Sequence, residues 1–270
     1  MTTQTQKIHY TLRIAAAMCF IGHGAFGIIT KPIWCNYFAL FGIGKTIAYQ
    51  LMPVMGSVDI LLGIIMLFRP IRGIAAWLIF WGIVTALCRP LSGEPFAEFI
   101  ERAGNFGAPF CLLLLAGGIQ FNFPWLFSSI NPNESVSEKS MMKVNRALRV
   151  IVFMLLAGHG WLNLIHKPGL IGQYTALGFS NPVNIAILAG IFEIMAAIAV
   201  LIRPARSLII IFLIWKMGSE LFYPHFEILE WVERGGSYGT MLALWFCLKP
   251  IRVKMTDLRE RWLVVDGSIK

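Results

Sequence analysis

Long apolar runs separated by short polar turns make up most of this chain. Segments such as Ser57 to Phe68 and Ile185 to Ile202 are nearly uniformly apolar. They show neither the polar face of a surface helix nor the strict alternation of a barrel strand. Runs approaching the ~20 residues that cross a bilayer predict transmembrane helices. Lipid offers the backbone no hydrogen-bond partners, so such runs must pair internally, and the expected fold class is all-α. About eight helices are predicted, near residues 11–30, 50–68, 73–88, 102–124, 147–166, 183–202, 207–222 and 235–249.

The pattern repeats. Leu12 to Ile43 aligns with Leu148 to Phe179 without a gap, and ten of the 32 pairs are identical. The match centres on Gly22-His23-Gly24 with Lys31-Pro32, against Gly158-His159-Gly160 with Lys167-Pro168. Downstream, Asp59 matches Glu193, Arg69-Pro70-Ile71-Arg72 matches Arg203-Pro204-Ala205-Arg206, Trp81 matches Trp215, and Glu101-Arg102-Ala103-Gly104 matches Glu233-Arg234-Gly235-Gly236. The expected organisation is two tandem four-helix bundles, residues 1–130 and 144–270. A solvated, Asn-, Ser-, Glu- and Lys-rich linker at 131–143 would join them.

Composition agrees, with 57% hydrophobic and 14% charged residues. The net charge of +9 reads as topology and excludes nucleic acid as the expected partner. Sixteen Lys and Arg fall on the side of the N-terminus, the two Arg-Pro turns, the linker and the tail, against seven on the other side. The basic side is expected in the cytoplasm, with both termini there, as for a multi-pass protein of a bacterial inner membrane. An even number of helices per half makes this a parallel repeat, with a pseudo-twofold axis along the membrane normal. The first apolar run lacks a small-residue cleavage site and reads as a retained helix. Five cysteines form no CxxC pair and no zinc-site spacing, so no metal is expected; Cys35 and Cys88 fall near one membrane face, where a disulfide is open to them. Trp and Phe residues read as interfacial belts and lipid-facing packing.

Ionisable groups inside a membrane are costly, so each needs a reason. His23 and His159 lie within helices, flanked by glycines that admit a helix, a ring or a cofactor; either a structural interhelical hydrogen bond or ligand contact explains them. Asp59 shares a helix face with Gly56 and Gly63, as Glu193 does with Gly190 and Ala197, which predicts a closely packed neighbouring helix. The Glu101-Arg102 and Glu233-Arg234 pairs open fourth helices at the outer face, where they either tie helix ends together or do chemistry. Lys31 and Lys167 are either snorkelling anchors or ligand contacts. Lys216 and Glu220, spaced i to i+4, replace Gly82 and Ala86 and give the second half an extra ion pair; that half is therefore the expected seat of activity. The segments 89–101 and 223–233 read as interfacial lids, and the helices as unbroken.

The four-helix unit, the glycine-rich first helix ending in Lys-Pro, the acid of the second helix and the Arg-Pro turn together resemble the DoxX-like membrane proteins. This resemblance implies a four-helix bundle associated with membrane redox chemistry, coupled to quinone in some members, and a redox partner protein. In that light the sequence suggests an oxidoreductase subunit binding a quinone or similar apolar redox ligand. His23 or His159 would bond a ligand carbonyl, while Asp59, Glu193, Glu101, Arg102, Glu233 and Arg234 would move protons. Lys31, Lys167, Lys216 and Glu220 complete the candidate binding set. Bis-histidine haem ligation by His23 and His159 is a further expectation. The rival class is a transporter, or a non-enzymatic membrane partner, using the same charges for solute, proton or assembly.

Overall fold

The structure, a computed structural model, describes residues 2–120, 122–223 and 227–248. The basic C-terminal tail expected from the sequence lies outside the described residues. The described chain is all-helical: α1 (Gln4–Ile28), α2 (Trp34–Ala39), α3 (Lys45–Phe68), α4 (Arg72–Leu91), α5 (Ala97–Glu101), α6 (Ala103–Leu115), α7 (Phe123–Phe127), α8 (Glu138–Leu164), α9 (Pro168–Ala176), α10 (Pro182–Ile202), α11 (Arg206–Ser219), α12 (Ile228–Glu233) and α13 (Gly235–Cys247).

Local chemistry sets the ends of the long helices. Thr3 and Gln6 cap each other reciprocally at the start of α1, and the Ser137 hydroxyl accepts from the Ser140 amide at the start of α8. Helix α8 therefore begins inside the segment expected to be linker. Asn181 caps α10 ahead of Pro182, where a missing N–H costs nothing. Helix α6 stops at Leu115, short of the expected residue 124, because Gly117 and Gly118 follow at φ 95° and 92°.

Five helices, α1, α3, α4, α8 and α10, are long and apolar enough to cross a membrane. The other three of the expected eight are short in the structure: α6 and α13 have 13 residues each and α11 has 14. The outward faces of α3, α10 and α11 expose Val54, Val58, Leu61, Phe68, Leu188, Met195, Ile211 and Ile214, while Asp59, Glu193 and Lys216 are buried. An apolar exterior over a charged interior is compatible with an integral membrane protein.

Glycines let the helices meet. Helices α1 and α3 touch backbone to backbone, since a Cβ on Gly24 would lie 2.4 Å from the Gly56 carbonyl oxygen; α8 and α10 do the same at Gly160 and Gly190. The packing then crosses between the halves of the sequence. Helix α5 lies on α8, and α12 and α13 lie on α1. Near the centre, Gly104 and Gly236 stand within 2.6 Å of the other's backbone, measured from an added Cβ. Two independently packed four-helix bundles do not describe this arrangement.

Candidate functional site

The two histidines are each held by the acid of a neighbouring helix. His23 Nδ1 is 2.8 Å from Asp59 Oδ2, which also accepts from Trp81 Nε1 at 3.3 Å. His159 Nδ1 is 2.6 Å from Glu193 Oε2, and the Asn163 amide donates to the same oxygen at 3.1 Å. The flanking glycines admit protein backbone: a Cβ on Gly22 would meet the Glu233 nitrogen at 2.4 Å, and one on Gly158 would meet the Glu101 nitrogen at 2.4 Å.

Helices α5 and α12 thereby carry acids into the bundle interior. Glu98, Glu101, Glu230 and Glu233 are all buried, so α5 and α12, which lie within segments read from sequence as interfacial lids, turn their acids inward. The backbone breaks immediately after each: α5 gives way to α6 at Arg102, and α12 to α13 at Arg234. These interruptions replace the unbroken fourth helices expected from sequence.

A chain of alternating charges links the parts. Arg89 meets Glu94 at 3.0 Å and Glu98 at 3.3 Å; Arg102 meets Glu98 at 2.7 Å and Glu101 at 3.2 Å. Arg234 joins Glu101 at 2.6 Å to Glu220 at 3.1 Å, and Lys216 reaches Glu220 at 2.8 Å. The lysines that end the first helices cross reciprocally, Lys167 to Glu98 at 2.7 Å and Lys31 to Glu230. Both are paired to protein acids. Beyond the network's outer end, Tyr37 donates to Glu94 at 2.5 Å. Burial pushes its phenol above the ordinary value of 10.0, the Arg89 charge opposes this, and the bond to Glu94 adds to the rise. For Lys167, burial lowers the ammonium's affinity for its proton, but Tyr223, Glu101 and Glu98 outweigh it and hold the pKa above the ordinary 10.5.

Beside His23 the network opens into a cavity of about 300 Å³. Helix α2 supplies Trp34, Tyr37 and Phe38, α3 supplies Leu51 and Met55, and α4 supplies Trp81, Thr85, Ala86 and Cys88. Trp34 stacks on the His23 ring with centroids 4.6 Å apart. Arg89, Arg102, Asn105 and Glu233 form its polar end. Trp34 and Trp81 are therefore site residues and Trp125 is buried, where the sequence suggested lipid-facing belts.

The second half, favoured from sequence as the seat of activity, is filled at the corresponding place. Lys216 and Glu220, both 1% exposed, stand where the first half has Gly82 and Ala86. Asn163, in the register of Gly27, bonds His159, Glu193 and the Tyr174 hydroxyl.

Cofactor fit follows from these contacts. Glu101, His159 and Glu220 present donor atoms within 4.8 Å of one another. Arg234 already neutralises both acids and Lys216 adds a second cation to Glu220, so a metal ion does not fit there. A void of about 10 Å³ among Glu101, Arg102, Asn105, Glu233, Arg234 and Ser237 separates the two histidine sites. It has room for one water and none for a macrocycle, so haem bridging His23 and His159 does not fit either. All five cysteines are free, and Cys35 and Cys88 form no disulfide.

Sequence reasoning missed Trp34, Glu98, Glu230, Asn163 and Tyr174. Two carried a signal: Glu98 lies four residues before Arg102 and Asn163 four after His159, the spacing that puts side chains on one helix face. Comparison with known proteins gives no family-model match, and no significant match among curated proteins or solved structures.

Proposed function

We propose that this chain is a DoxX-like oxidoreductase subunit of a bacterial inner membrane, which binds a quinone or similar apolar redox ligand in the cavity beside His23. The observation that carries the reading is the cavity itself. Its walls are aromatic and aliphatic, its volume suits a flat ring, and its polar groups converge at one end. Asp59 orients the His23 ring, which offers its other nitrogen to a ligand oxygen. Helices α3 and α4 pack separately from one another for most of their length, which gives a lipid-dissolved ligand a lateral way in. The topology that goes with this reading has eight crossings, with α5–α6 and α12–α13 each acting as one broken span. The two halves are related as a parallel repeat, and both termini are cytoplasmic.

Titration of the detergent-solubilised protein with decylubiquinone, followed by tryptophan fluorescence, tests the proposal. Saturable quenching is expected, weakened at least about tenfold by His23→Ala or by filling the cavity with Ala86→Leu, the loss of roughly one good contact. Quenching that neither substitution changes overturns it.

The broken helices favour a second reading, transport. Discontinuous helices with charges at the break occur at transporter sites. Proton or solute uptake into proteoliposomes, abolished by Glu193→Gln, would support transport over redox chemistry.

A further inference from the structure

A cluster of four side chains in the second half has a counterpart in the first that differs at one position. Glu220 Oε1 lies 4.0 Å from His159 Nε2, Glu220 Oε2 lies 3.1 Å from Arg234 Nε, and Arg234 Nη1 lies 2.6 Å from Glu101 Oε1. The repeat pairs His159, Glu220, Glu101 and Arg234 with His23, Ala86, Glu233 and Arg102. All four counterparts line the cavity. The backbone repeats as well, since Gly22 abuts Glu233 as Gly158 abuts Glu101. Histidine, arginine and the inward glutamate are common to both clusters. Only Ala86 departs, with no oxygen where the second half has the Glu220 carboxylate.

The second half therefore displays an oxygen held in such a place. Lys216 cancels the charge of Glu220 at 2.8 Å, so the pair is neutral as a whole. The first half has Gly82 and Ala86 in these registers and lacks both members. A neutral, oxygen-bearing molecule is thus the like-for-like replacement. Arg102 can hold it: its hydrogen bonds and ion pairs to Glu98 and Glu101 all run through Nη1, while Nη2 and Nε make no hydrogen bond among the described residues. We propose that Glu220 is a built-in occupant, and that an oxygen of the ligand takes the corresponding place in the first half, beside Ala86 and His23, accepting from Arg102. The second half is then a closed copy of the same ligand site. This inference rests on the quinone reading above and adds the position of the ligand's oxygen and Arg102 as its donor. Carbonyl and hydroxyl oxygens both accept, so the place serves either redox form.

Equilibrium dialysis of decylubiquinone against the purified full-length protein in detergent counts the molecules bound per chain. The unaltered protein is expected to bind one. Lys216→Gly combined with Glu220→Ala removes the built-in occupant without changing the net charge, and should raise the count to two. Arg102→Lys keeps a cation for Glu98 and Glu101 but removes the guanidinium's second arm. It should weaken binding at least about tenfold and leave the unfolding midpoint almost unmoved. If the double variant does not fold, Arg102→Lys decides alone. A count of one in a folded double variant, or binding that Arg102→Lys leaves unchanged, overturns the inference while leaving the quinone reading intact. Failure of the unaltered protein to bind overturns the quinone reading and the inference with it.

Discussion

A Cβ on Gly22 would lie 2.4 Å from the backbone nitrogen of Glu233, so α1 and α12 meet with no space between them. Gly158 stands in the same relation to Glu101. In each case the clashing atom is backbone, which cannot swing aside. Gly22→Ala and Gly158→Ala should each destabilise the protein by about 1–3 kcal/mol, as overpacking of a filled interior does. Gly218→Ala on α11, where nothing lies within 4 Å, is the control and should leave the unfolding midpoint in detergent almost unmoved.

Arg234 neutralises two buried acids that come from different parts of the chain. Arg234→Met removes one of two cations from each of Glu101 and Glu220, leaving Arg102 and Lys216, and should cost about 3 kcal/mol. Adding Glu101→Gln should recover part of the loss. A double-mutant cycle on thermal stability measures the coupling; simple additivity would show that the pair carries no interaction.

Thr30 closes α1 at φ 55°, a left-handed conformation that a β-branched side chain tolerates poorly. Its counterpart His166 adopts φ 56°. Thr30→Asn should stabilise by up to about 1 kcal/mol, because asparagine enters this region at lower cost. An unchanged or lowered melting temperature would show that the Thr30 side chain has contacts worth more than its strain.

Tyr37 and Lys167 both hold their protons more tightly when folded than the ordinary 10.0 and 10.5 of their types. A raised folded-state pKa contributes stability that is complete below the unfolded value and lost as pH rises through the folded one. Thermal stability should therefore hold up to about pH 10 and fall beyond it, with no matching loss from these groups in mild acid. Tyr37→Phe should remove part of the alkaline decline. A decline identical in slope would place its origin elsewhere.

Much of the interior was legible in the sequence because lipid punishes every misplaced charge. The faces shared by Asp59, Gly56 and Gly63, and by Glu193 and Gly190, are buried against neighbouring helices, as acid and glycine at helical spacing imply. Helix α8 began earlier than expected because Ser137 caps it inside a polar stretch that composition alone reads as linker. Glu98, Glu101, Glu230 and Glu233 looked interfacial because they sit among Pro, Phe and Trp residues. Only tertiary packing reveals that α5 and α12 fold inward, with three of these acids paired to cations distant in sequence: Glu98 with Lys167, Glu101 with Arg234 and Glu230 with Lys31. The filled interior of the second half was hidden for a related reason. Lys216 and Glu220 looked like added chemistry, whereas both are buried bulk, and Glu220 stands in the register of Ala86, which lines the cavity in the first half.

Because α5 rests on α8 and α12 on α1, a break in the polypeptide near residue 135 would still leave two fragments obliged to find one another. Covalent fusion fixes their ratio at one to one. It also frees the partners from being alike: one can keep a vacant chamber while the other spends its corresponding volume on a rigid ionic keel. A symmetric pair of identical subunits would have to carry both features twice or neither.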